Sequence, residues 1–126
     1  MGLEMVPFVM LNGNAREAIS FYQKTLDAEV LFIQADENRV DHSVLKIGES
    51  KVMISDRIPQ LPHQTGTQVN ICITIPDKKR AEQIYAALIE EGVVHLPIGE
   101  MPFSPAYGIV TDKYGVCFQV FTQRNK

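Results

Sequence analysis

The chain has 126 residues, of which 45% are hydrophobic and 21% charged, the proportions of one ordinary globular domain and not of a disordered segment. Twelve Lys and Arg against 15 Asp and Glu leave a net charge of −3, which gives no electrostatic pull toward nucleic acid or an anionic membrane. No apolar run approaches the ~18 residues of a membrane span and no charged-then-apolar leader opens the chain, so the cytoplasm is the expected setting.

Met5 to Leu11 is a short apolar run closed by Asn12-Gly13 and reads as a buried strand, with Pro7 placing it near a sheet edge. Asn14 is placed to cap a helix, with Glu17 three residues on as in a capping box. Ala15, Ala18, Ile19, Tyr22 and Leu26 make its apolar stripe. Glu29 to Ala35 reads as a strand and Asp36-Glu37-Asn38 as a turn. Ser43 to Ile47 and Lys51 to Ser55 form a hairpin around Gly48-Glu49-Ser50. Asp56 to Thr67 carries Pro59, Pro62 and Gly66 without periodicity, the mark of a functional loop or a linker. Gln68 to Ile75 reads as the next strand. Asp77 is the expected N-cap of a second helix with Ala81, Ile84, Tyr85 and Leu88 as its stripe and Gly92 as its stop. Lys78-Lys79-Arg80 is expected as a solvated face of its first turn. Val93 to Ile98 reads as a strand and Gly99 to Pro105 as a Pro-rich loop. Tyr107 to Thr111 and Val116 to Thr122 form a second hairpin around Asp112-Lys113-Tyr114-Gly115. Cys72 and Cys117 both lie in apolar runs and are expected as small buried hydrophobes, not as a redox pair.

The two halves repeat one order: strand, helix, strand, strand, strand. Ala18-Ile19-Ser20-Phe21-Tyr22 matches Ala81-Glu82-Gln83-Ile84-Tyr85, Ala28 matches Gly92 and Val52 matches Val116, all at an offset of about 64 residues. This predicts one α+β domain over residues 1–126, built as two tandem βαβββ modules. Module one takes 6–55, the connecting loop 56–67 and module two 68–122. Each helix covers one sheet face, and the sheets are expected to curl around a shared concave cleft.

Four segments carry a family resemblance: Asn12-Gly13-Asn14-Ala15-Arg16-Glu17-Ala18 with Phe21-Tyr22; His42 to Gly48; Val52 to Asp56; and Tyr107 to Val116. In this order, on paired βαβββ modules, they resemble the PhnB-like branch of the vicinal oxygen chelate superfamily. That superfamily includes glyoxalase I, bleomycin-resistance proteins and extradiol dioxygenases. The resemblance implies a small organic molecule bound in the cleft, with turnover left open. Members of this branch often bear the label of a 3-demethylubiquinone 3-methyltransferase domain. Here no glycine-rich strand-to-helix turn of a methyl-donor site follows any predicted strand.

Metal-using members of the superfamily hold a divalent ion with four His, Gln or Glu side chains from the first and last strands of each module. The resemblance puts these positions on Pro7, near Ser55, on Asn70 (or Gln68) and on Gln119. A proline, a serine and two neutral amides suit neither zinc nor a hard cation, so no metal and no other cofactor is expected. His42 shares strand parity with Val44, opposite to Ser43, Leu45 and Ile47. If Leu45 and Ile47 pack under a helix, His42 faces the cavity, where it is either an acid–base catalyst or a hydrogen-bonded strand histidine. His63 is expected solvated and His95 half-exposed. Phe103 and Tyr107 flank Ser104-Pro105-Ala106 and either wall a flat or apolar ligand or close the end of the core.

The expected site is therefore His42 in a catalytic role, Ser55, Asn70 and Gln119 as polar contacts, and Phe103 and Tyr107 as walls. The expected partners are a small molecule and, as the resemblance implies, a second copy in a homodimer, with no nucleic acid and no membrane. Pro7 blunts only one of the sheet edges such a dimer would cover. Three alternatives stand beside this reading. They are a metal-dependent glyoxalase-type lyase, isomerase or dioxygenase; a drug- or antibiotic-sequestering protein; and the methyltransferase of the family label.

Overall fold

The structure is a computed structural model that describes residues 2–124. Its elements are β1 (Phe8–Leu11), α1 (Ala15–Leu26), β2 (Glu29–Ala35), β3 (Val40–Ile47), β4 (Ser50–Asp56), β5 (Ile71–Thr74), α2 (Lys78–Leu88), β6 (Val93–Met101), β7 (Ser104–Thr111) and β8 (Cys117–Phe121). The chain divides into two compact units, Met1–Gln64 and Thr65–Lys126. Each holds one helix and one four-stranded sheet, ordered β1-β4-β3-β2 and β5-β8-β7-β6. In both, the first and last strands of the unit pair in parallel and the others antiparallel. The fold is thus α+β, with two tandem βαβββ modules as its repeat.

In the first unit the predicted stripe of α1 is buried at all five positions. It lies over β3 and β4, where Leu45 and Ile54 are fully enclosed. The start of α1 differs from the expected capping box, because Asn14 makes no side-chain cap bond. A carboxylate 41 residues away does that work: Asp56 Oδ1 accepts from the Ala15 N–H at 3.0 Å. Its Oδ2 accepts from the Val40 N–H at 2.9 Å, so one buried carboxylate ties the helix to two strands.

In the second unit Asp77 caps α2 as expected, accepting from the Arg80 N–H at 2.9 Å. Gly92 is not the left-handed stop; Glu91 takes the positive φ, at 58°. Glycine is needed at 92 for space, since a Cβ there would lie 2.5 Å from the Thr111 carbonyl oxygen. Gly108 works similarly on β7, where a Cβ would meet the Tyr85 ring at 2.7 Å. That ring is buried on the strand, its hydroxyl donates to the Leu96 carbonyl at 2.9 Å, and burial raises its pKa.

Several boundaries shift. β1 begins at Phe8 and β5 at Ile71, later than the apolar runs suggest, while β3 starts earlier, at Val40. Pro7 contributes only its carbonyl, which accepts from the Met53 N–H at 2.9 Å, as a residue without an N–H must. The expected loop over 99–105 is a tight turn at Pro102-Phe103 between longer strands. Ser104 explains the early start of β7: its buried hydroxyl lies 2.8 and 2.6 Å from the Ala106 and Thr122 carbonyls. Cys117 is buried, but Cys72 is exposed, because β5 is an edge strand and this position faces away from α2. No helix among the described residues is long and apolar enough to cross a membrane.

Candidate functional site

Each sheet has one face under its helix and one open face, and strand parity sorts the predicted residues between them. In the first unit Leu45 is buried under α1, so His42 and Val44 lie on the opposite face. Val44 and Phe8 both pair with Met53, and Gln34 pairs with His42, which places these side chains on that same face. The half-buried His42 ring has its centroid 5.5 Å from that of Phe8 and 6.0 Å from that of Phe32. It makes no hydrogen bond among the described residues, so both ring nitrogens are uncommitted. Ser55 is 1% exposed and its hydroxyl donates to the Asp56 carbonyl at 3.1 Å.

In the second unit four predicted residues come together. The Tyr107 O–H donates to Gln119 Oε1 at 2.7 Å, and Gln119 Nε2 donates to Asn70 Oδ1 at 2.9 Å. Asn70 Nδ2 in turn donates to the Thr67 carbonyl at 3.2 Å. Phe103 packs edge-on to Tyr107 at 4.9 Å and near-parallel to Phe121 at 6.4 Å, and 54% of it remains exposed. Cys72 lies directly across from Gln119 in the β5–β8 register. Two features here escaped the sequence. Tyr107 acts through its hydroxyl as well as its ring, and Phe121 joins the aromatic cluster because it pairs with Tyr107. The alternation along β8 held the second signal, since Gln119 and Phe121 share a face.

The first unit also has a polar groove of about 480 Å³ beside the start of α1, lined by Arg16, Glu17, Glu37 and Arg39 among others. Arg39 braces it: the guanidinium donates to the Asp56 and Arg57 carbonyls at 3.1 and 3.3 Å and pairs with Asp41 at 2.8 Å. Nearby, N–H groups of Asn38 and Arg39 hold the Asp36 carboxyl below the usual carboxylate range.

A paired βαβββ chain of this kind is a vicinal oxygen chelate fold, and comparison with known proteins agrees. Residues 3–121 match the family described as 3-demethylubiquinone-9 3-methyltransferase, and the chain belongs to that family, the PhnB-like branch of the superfamily. Protein YjdN of Escherichia coli is 22% identical over 94% of each chain. A solved structure of protein PA1353 from Pseudomonas aeruginosa has a TM-score of 0.86 at 28% identity, covering 98% of this chain and 100% of that one. A putative 3-demethylubiquinone-9 3-methyltransferase, PhnB protein, from Bacillus cereus has a TM-score of 0.85 at 26% identity, covering 95% and 99%. The fosfomycin resistance protein FosX from Listeria monocytogenes shares the fold, with a TM-score of 0.71 at 13% identity over 98% and 96% of the two chains.

The superfamily's divalent ion does not fit the donors at the inherited positions. Pro7 has no side-chain donor atom, and Ser55 offers only a neutral hydroxyl, a weak ligand for zinc or a hard cation. Asn70 and Gln119 are bonded to each other. Among the described residues no three His, Cys, Asp or Glu side chains gather as a ligand set.

Proposed function

We propose that this chain is a cytoplasmic protein that binds a small organic molecule on the open faces of its sheets. The observation that carries this reading is the Tyr107–Gln119–Asn70 relay beside the exposed Phe103 ring. An apolar wall with a few fixed polar groups is what a small-molecule site needs. His42 is the proposed acid–base residue. Its uncommitted nitrogens, set between two aromatic rings, support that role.

The test is native mass spectrometry of protein purified without affinity metal, followed by titration with the molecules it releases. We expect a copurified organic species and metal well below one equivalent. We also expect about tenfold weaker binding in Phe103→Ala, and in His42→Gln lost turnover with retained binding. Stoichiometric zinc, nickel, iron or manganese lost in His42→Ala would favour the metal-dependent lyase or dioxygenase instead. Tight binding with no product would favour sequestration, and saturable binding of S-adenosylmethionine would favour the methyltransferase of the family description.

We also propose a homodimer. β2 is an edge strand with Leu31, Phe32 and Ile33 exposed at 46%, 50% and 43%, an apolar run that invites a partner. Light scattering at micromolar concentration is expected to give twice the 14.2 kDa chain mass, and a value near one chain would overturn this.

A further inference from the structure

We infer that the relay on the second sheet has a fixed direction that selects a neutral, planar ligand approaching through a hydrogen-bond-accepting oxygen; this rests on the reading of that face as a ligand surface. A side-chain amide is nearly symmetric in shape, so its neighbours decide whether it shows a ligand C=O or N–H. Here the decision starts from the backbone. The Thr67 carbonyl can only accept, so Asn70 turns its Nδ2 toward it, 3.2 Å away. Asn70 Oδ1 then faces Gln119 and can only accept, so Gln119 presents Nε2 to it at 2.9 Å. Gln119 Oε1 is left toward Tyr107, whose hydroxyl donates at 2.7 Å. Every group along the line is forced by the one before.

The remainder of that bonding is asymmetric. Each amide carries two N–H groups and has used one, so Gln119 and Asn70 each keep one N–H with no partner among the described residues. Both carbonyl oxygens already accept one bond. A spare N–H left without a partner is the costlier omission, because a carbonyl tolerates an unused lone pair more readily. The cluster therefore offers a ligand two adjacent donors. Around them lie Tyr107, Phe103, Phe121, Cys72 and Ile109, the last paired with Gln119 across β7 and β8, and none of these is an acidic or basic residue. The nearby Arg124 is paired with Glu100 at 3.3 Å. With no fixed charge to balance, an ionised ligand would be desolvated for no return. The near-parallel Phe103 and Phe121 rings favour a flat body next to its accepting oxygen.

The test uses the full chain and three probes of one shape. These are 1-acetylnaphthalene, its 1-isopropenylnaphthalene isostere with the carbonyl oxygen replaced by CH2, and 1-naphthoate. Cys72 supplies the readout, since it is exposed opposite Gln119 while Cys117 is buried. Protection of its thiol from a disulfide reagent reports occupancy, and the Gln119 side-chain NH2 resonance reports the contact. The ketone is expected to bind about tenfold tighter than the alkene and the carboxylate. In Gln119→Glu, which has no side-chain amide N–H, that preference for ketone over alkene falls severalfold, to what the Asn70 N–H alone supports, while alkene binding persists. Equal binding of ketone and alkene to the native chain would overturn the directional inference but leave the ligand surface standing. If no probe protects Cys72 or moves a resonance on this face at millimolar concentration, the reading of the face itself is overturned.

Discussion

Asp56→Ala is expected to lower stability by about 3 kcal/mol. The carboxylate is 5% exposed and accepts from the N–H groups of Ala15 and Val40. Hydrogen bonds to a charged acceptor are each worth roughly 1.5–3 kcal/mol, and truncation strands both donors. Against this, burying the carboxylate itself cost free energy that the alanine chain recovers, so the two bonds do not simply add. For a domain of this size such a loss lowers the melting temperature by about 10 °C. Asp56→Asn keeps one accepting oxygen but turns an NH2 toward the other donor, and should lose at least half as much. Asn14→Ala makes the contrast, because Asn14 makes no cap bond and should cost less than about 0.5 kcal/mol. Urea unfolding with an unchanged m-value measures all three. If Asn14→Ala costs more than Asp56→Ala, the local capping box holds the helix and the long-range carboxylate does not.

That contrast shows what a sequence can and cannot reveal here. The stripes of α1 and α2 were legible because helical periodicity is a local property, and every predicted stripe residue is buried. The cap of α1 was not, because nothing local announces that a residue 41 positions away will arrive under the helix. Strand parity around Leu45 was likewise enough to set His42 on the open face, as a period of two leaves only one choice. It did not say which side of β5 would be covered, so Cys72 in its apolar run read as buried and is exposed. Sequence alone ends the strand from Val93 at Ile98, short of Met101, for a related reason. Gly99 breaks strands in general, but β6 is an edge strand with bulged pairing and continues through it. Among the site residues, Asn70 and Gln119 were singled out as amides, and the bond between them came from the parallel pairing of β5 with β8. From sequence alone Tyr107 reads as an apolar wall, because its hydroxyl has no sequence signature. Only its place across the sheet from Phe121 and near Gln119 gives that hydroxyl an acceptor.

Gly92→Ala is expected to destabilise the second unit by about 2–3 kcal/mol, although alanine is ordinarily the easier residue to order. The added Cβ would lie 2.5 Å from the Thr111 carbonyl oxygen, 3.1 Å from the Leu88 carbonyl oxygen and 3.2 Å from the Asp112 Cα. All three are backbone atoms, so no side chain can swing aside. Relief requires α2 and β7 to separate, and these elements enclose Leu88 and Val110, each 0% exposed. Alanine in place of glycine stabilises by roughly 0.4–1 kcal/mol through the unfolded chain, too little to offset that separation. Gly66→Ala is the control, since a Cβ there meets nothing within 4 Å and the change should be neutral or slightly stabilising. The comparison is made by chemical denaturation with one tryptophan-free probe, far-ultraviolet circular dichroism, because the chain has no Trp. β7 also carries Tyr107, so a displaced strand in folded Gly92→Ala should move the Tyr107 ring resonances and weaken its bond to Gln119. Equal stability of the Gly92 and Gly66 variants would mean that the approach of α2's C-terminal turn to β7 is looser than 2.5 Å implies, and that Gly92 has a role other than space.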